Sequence, residues 1–244
     1  MTPTPKNKIL SVGCSNTVGW DLEEEIGIFD YNPQPQEIKD KADLYRSENN
    51  FSTLISKHFN RECINIGRGG SSNHRIIYSM IDYIDENPNL DLVLINLTGQ
   101  SRNLFSFYDQ LVDVDFKYEP KHIFYYPRFK DYPTEFKKKY EKWFEFYRDY
   151  LLTTHELNTK QEHLIRYAIE YLKNRDIPFF ISKTIPIAFD ISYQTPYTIS
   201  ESFEECNIKE GRNRAEGNHW LSDSHKRWSE ILIDEIKRHN LVTQ

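Results

Sequence analysis

The chain has no uncharged apolar run that approaches the ~20 residues needed to cross a bilayer. Its first residues, Met-Thr-Pro-Thr-Pro-Lys-Asn-Lys, also lack the apolar stretch of a signal peptide, so a cytoplasmic location is expected. Cysteine is scarce. Cys14, Cys63 and Cys206 are too few and too scattered for a disulfide framework or a zinc cluster, which fits a reduced environment. Positive charge is short as well: 31 Lys+Arg against 37 Asp+Glu leave a net charge of −6. A phosphate backbone calls for a basic surface, so nucleic acid is not expected as a partner, and without a spanning run neither is a membrane. There is no internal repeat and no low-complexity tract. Aromatics, in contrast, reach 14%, and disorder is a poor reading of a 244-residue chain with 16 Tyr, 15 Phe and 4 Trp.

Short apolar runs rich in β-formers occur at Ile9–Val12, Cys63–Ile66, Leu92–Leu97 and Pro178–Ser182. Each is continuous rather than alternating, as in strands buried on both faces. Helical spacing predicts Ser52–Phe59, Arg75–Ile84, Thr159–Lys173 and Ser222–Arg238. This alternation predicts one α/β domain over 1–244, three layers deep, with a central parallel sheet. An aromatic-rich insertion at about 104–152 interrupts it. Residues 105–150 hold 17 of the 35 aromatics, and Phe136, Tyr140, Trp143, Phe144 and Tyr147 fall at helical spacing. That stripe packs on the sheet domain or walls a ligand.

Ligands of open parallel sheets bind beyond the carboxyl ends of the strands. The segments in those places are Gly13-Cys14-Ser15-Asn16-Thr17, the glycine turn Gly67-Arg68-Gly69-Gly70 with Ser71-Ser72-Asn73, and Thr98-Gly99-Gln100-Ser101-Arg102. Near the C-terminus comes Glu216-Gly217-Asn218-His219. Together they hold the parts of an acyl-transfer site: Ser15 as nucleophile, His219 as base and Glu216 to orient it. Backbone N–H groups at Ser15 and in the glycine turn are candidate oxyanion donors. The turn is no Walker motif, since no Gly-Lys-Ser/Thr follows. His219, Asp223 and His225 do not have a usual ligand spacing, and no metal or cofactor is expected.

These four segments, in this order, resemble the blocks of the SGNH (GDSL-like) hydrolases. Gly13-Cys14-Ser15-Asn16-Thr17 resembles their Gly-Asp-Ser-x-Ser/Thr. The glycine turn is similar to the second block, with Gly70 as the oxyanion glycine, and Glu216 to His219 is similar to Asp-x-x-His. His225 and Trp228 match a common extension of that last block. The Gly-Cys-Ser-x-Thr spelling resembles SGNH-like proteins of bacteriophage genomes. The resemblance implies a flavodoxin-like fold with five parallel strands and hydrolysis of a short acyl or acetyl ester, with a carbohydrate ester as substrate. It also implies virion association or self-association as partnerships to test. Two departures are mild, Cys14 for Asp and Glu216 for Asp. The third is larger, because the third block has no Asn to donate to the oxyanion. Gln100, Arg102 and Asn73 are the candidate replacements. Without one, a loss of about 10²–10³ in rate is expected. The alternatives are then a carbohydrate-binding or structural module on the same fold, or acyl transfer between sugars.

Overall fold

The computed structural model describes residues 7–29, 34–100, 102–107, 110–115, 154–216 and 218–242, with the backbone alone for 103–107, 110–115 and 154. Strands β1 (Lys8–Val12), β2 (Glu62–Asn65) and β3 (Leu92–Leu97) are followed by an antiparallel hairpin, β4 (Arg102–Phe107) and β5 (Gln110–Asp115), and then by β6 (Phe179–Lys183). β1, β2, β3 and β6 form one parallel sheet in the order β2-β1-β3-β6. All four apolar runs predicted as strands are strands of that sheet, displaced by a residue at most ends.

Of the five parallel strands implied by the resemblance, four are present among the described residues. Where a fifth would lie outside β6 there is a single parallel bridge, Ile181 to Thr198. Pro196 stands two residues before Thr198. It has no N–H to donate to a ladder, which is one reason the pairing stops there.

The helices are α1 (Ser15–Val18), a 3-10 turn (Leu22–Ile26), α2 (Gln36–Asn49), α3 (Phe51–His58), α4 (Asn73–Glu86), α5 (Thr154–Lys173), α6 (Phe203–Lys209) and α7 (Ser222–Arg238). Their ends follow from capping residues. Asn50 accepts the Thr53 N–H at the start of α3, Ser72 accepts the Arg75 N–H at the start of α4, and Ser202 forms a capping box with Glu205. Helix α2 carries almost no apolar stripe and buries only Ala42, so periodicity does not reveal it. No helix among the described residues is long and apolar enough to cross a membrane.

Because strand side chains alternate, β1 and β3 feed two cores. Leu10, Val12, Val93, Ile95 and Leu97 pack with Ile76, Ile77 and Met80 of α4 and Ile165, Ile169 and Leu172 of α5. Ile9, Leu92, Leu94 and Phe180 pack on the other face with Phe51 and Ile55 of α3 and Trp228, Leu232 and Ile236 of α7. Among the described residues both faces are covered, which leaves the carboxyl ends of the strands open. Residues 116–153, including the helix predicted around Phe136–Tyr147, lie outside the described residues.

Candidate active site

β1 runs into a turn at Gly13. A Cβ there would lie 2.0 Å from Thr17 Oγ1, so a larger residue cannot be fitted without moving the turn. The chain then makes a single helical turn, with Cys14 O accepting the N–H groups of Thr17 and Val18 at 3.0 and 3.2 Å. Gly19 ends it at φ +86. Asp21 follows at φ +70, a left-handed conformation that Asp tolerates better than most residues. This reversal holds Ser15 and Asp21 close to one end of the sheet.

His219 reaches the same place from the other end of the chain. Arg214 bridges antiparallel to Trp220, and the Ala215 N–H donates to His219 O at 2.9 Å, so the chain doubles back just before α7. His219 Nε2 lies 2.9 Å from Ser15 Oγ, and Nδ1 lies 2.7 Å from Asp21 Oδ2. A carboxylate can only accept, so the Nδ1 proton faces Asp21 and the Nε2 lone pair faces the Ser15 hydroxyl. Trp20 meets the imidazole edge-on, with ring centroids 6.0 Å apart. Gly69, in the glycine turn, gives Trp20 its room: a Cβ there would sit 2.3 Å from the indole.

The acidic 3-10 turn ties down the loop that carries His219. Glu24 accepts the backbone N–H of Glu216 at 2.8 Å, and Glu25 accepts the N–H and hydroxyl of Ser222 at 3.1 and 2.9 Å. Glu23 is itself buried and paired with Arg46 at 2.9 Å. Beside Ser15 opens a cavity of about 430 Å³. Cys14, Ser15 and Asn16 line it from the end of β1, Thr98 to Gln100 and Arg102 from beyond β3, and Ile185 and Pro186 from beyond β6. The far wall is polar, where Arg214 pairs with Glu204 at 2.7 Å and donates to Asn218 at 2.9 Å.

No family model matches the chain, and no curated protein does. Among solved structures it is similar to the psychrotrophic esterase EstA from Pseudoalteromonas sp., at 10% identity and a TM-score of 0.51, over 96% of this chain and 98% of that one. It is also similar to the acetyl xylan esterase Est2A from the rumen bacterium Butyrivibrio proteoclasticus, at 13% identity and a TM-score of 0.53. That match covers 98% of this chain and 65% of the Est2A chain. The fold is that of the SGNH hydrolases.

Within the SGNH fold, the residues expected from the sequence are placed unequally. Ser15 and His219 come together. Glu216 does not join them. It rides the exposed tip of the reversal between Ala215 and His219, and its bond to Glu24 is made by its backbone. Asp21 occupies the position expected of Glu216. Sequence reasoning missed it because 198 positions separate it from His219, and it is one of four acidic residues within Asp21–Glu25.

The oxyanion candidates also divide. Asn73 is fully buried and committed: Nδ2 donates to Thr98 O and Gln161 Oε1, both at 3.0 Å, and Oδ1 accepts the Thr98 N–H at 2.8 Å. Both ends of its amide are thus engaged, and it holds the Thr98 backbone at the cavity. Gly70 adopts φ +76 in its turn and is exposed, outside the cavity lining. Gln100 and Arg102 do line the cavity, with Gln100 Oε1 accepting the Ala188 N–H at 3.2 Å.

His225 sits at the start of α7, stacked on Phe51 with centroids 5.6 Å apart. Its Nδ1 accepts the Phe51 N–H at 3.3 Å. Complete burial, and secondarily the nearby His219, push its pKa down to about 3, which keeps it neutral. Cys14 is buried with its Sγ 3.3 Å from Thr184 Oγ1. Among the described residues, no group of three or more His, Cys, Asp or Glu is arranged to hold a metal ion.

Proposed function

We propose that the protein is a serine esterase that cleaves a short acyl ester, with an acetylated carbohydrate as the substrate class. The observation that carries this reading is the hydrogen-bonded chain from Ser15 Oγ through His219 to Asp21, at 2.9 and 2.7 Å, opening on the cavity. In the first step His219 Nε2 takes the Ser15 proton as Oγ bonds to the acyl carbon. The carbonyl π-bond electrons move onto oxygen, and the Ser15 N–H donates to that oxyanion. Asp21 stabilises the imidazolium, which then protonates the departing alcohol as its bond to the acyl carbon breaks. Water, deprotonated by the same His219, releases the acid and restores Ser15.

The polar wall formed by Gln100, Asn218 and the Arg214–Glu204 pair suits a hydroxylated alcohol better than a lipid chain. The acetyl xylan esterase among the structural neighbours motivates the acetylated sugar.

Intact mass after treatment with a fluorophosphonate tests the nucleophile without knowledge of the substrate. One adduct that maps to Ser15 and is absent in Ser15→Ala supports the esterase. A folded protein that stays unlabelled refutes it and favours a carbohydrate-binding module on the same fold.

A further inference from the structure

The resemblance to SGNH hydrolases predicts a side-chain donor to the oxyanion beside the Ser15 N–H, and Asn73 is spent on Thr98 and Gln161. Asn16 is not spent. It follows Ser15 directly, lines the cavity and is only 8% exposed. Its Oδ1 is buried with no hydrogen-bond partner, and nothing among the described residues engages its nitrogen. A buried amide without partners costs free energy, and a ligand that hydrogen-bonds to it recovers that cost. A carboxamide has two N–H donors, and with neither end held by a described residue this one can turn its NH2 to the cavity. We infer that the Asn16 carboxamide supplies the side-chain hydrogen bond to the oxyanion, in place of the third-block asparagine that the chain lacks. The inference rests on the esterase reading above and adds a catalytic residue to it.

The test is steady-state hydrolysis of p-nitrophenyl acetate, with inhibition by a boronic acid that forms a tetrahedral serine adduct. Wild type is compared with Asn16→Ala, Asn16→Asp, Gln100→Ala and Thr98→Val. Asn16→Ala should lower kcat about 10²–10³-fold with little change in KM, and weaken the boronic acid by a similar factor. Asn16→Asp keeps the shape but has no N–H, so it should lose as much. It carries the test if the alanine variant does not fold. Wild-type kcat in either Asn16 variant, or the large loss falling on Gln100→Ala or Thr98→Val instead, would overturn the assignment. Failure of the two readings is distinguishable. A wild type that neither labels with fluorophosphonate nor hydrolyses ester removes both, whereas a labelled, active wild type with an indifferent Asn16 removes only this one.

Discussion

Replacing Asp21 by Asn separates two effects of the carboxylate, its charge and its control of the histidine proton. Asp21 holds His219 Nδ1 at 2.7 Å and is only 16% exposed, so water cannot take over its role. An Asn amide in that place can donate to Nδ1, which would move the imidazole proton to Nε2, facing Ser15. The base would then point an N–H at the hydroxyl it must deprotonate. A mistaken tautomer of this kind costs about 10⁴ in kcat, or about 5 kcal/mol of transition-state stabilisation. Asp21→Ala leaves the tautomer free and should lose less, although alanine at φ +70 adds a backbone penalty of roughly 1–2 kcal/mol to stability. Asn tolerates that conformation, so Asp21→Asn should melt within a few degrees of wild type. Glu216→Gln keeps the backbone N–H that Glu24 accepts, and its kcat should match wild type. Initial rates on p-nitrophenyl acetate, with melting curves for each variant, decide the matter. If Glu216→Gln fell a thousandfold while Asp21→Asn stayed active, the assignment of Asp21 would be wrong.

Stability should fall in acid because of His225. Its folded pKa is lowered from 6.5 to about 3, so the unfolded chain binds the proton first, and stability that is complete above about pH 6.5 drains away as the pH falls toward 3. Urea unfolding at pH 7 and pH 4 should show a smaller pH dependence in His225→Phe than in wild type. Gly69→Ala should push a methyl into Trp20, destabilise the fold by about 1–3 kcal/mol and disturb the ring that abuts His219, lowering kcat and the melting temperature together. Asn73→Ala leaves the buried Thr98 N–H without its acceptor, which should cost about 1–3 kcal/mol in denaturant unfolding, with kcat reduced less than by Ser15→Ala.

What the sequence determined by itself is the architecture and two candidates for the site. Continuous apolar runs announce buried parallel strands, because a strand covered on both faces needs no polar positions, and the ends of those strands locate the ligand edge. Ser15 and His219 were legible as candidates through the order of four segments that resembles the SGNH blocks, since each is a weak signal alone. Helix α2 was not, since its stability does not come from a wide apolar face. Tertiary structure alone decided the partners. Asp21 rather than Glu216 meets His219 because a one-turn helix and a left-handed residue swing it there, while a backbone reversal carries Glu216 to the exposed tip. Asn73 and Asn16 are the same residue type, and the sequence gives no reason to separate them. Packing commits the first to Thr98 and leaves the second, beside the nucleophile, without a hydrogen-bond partner among the described residues. Hydrogen-bond partners are set by where distant segments meet in space, and that information is spread over the whole chain rather than written at any one position.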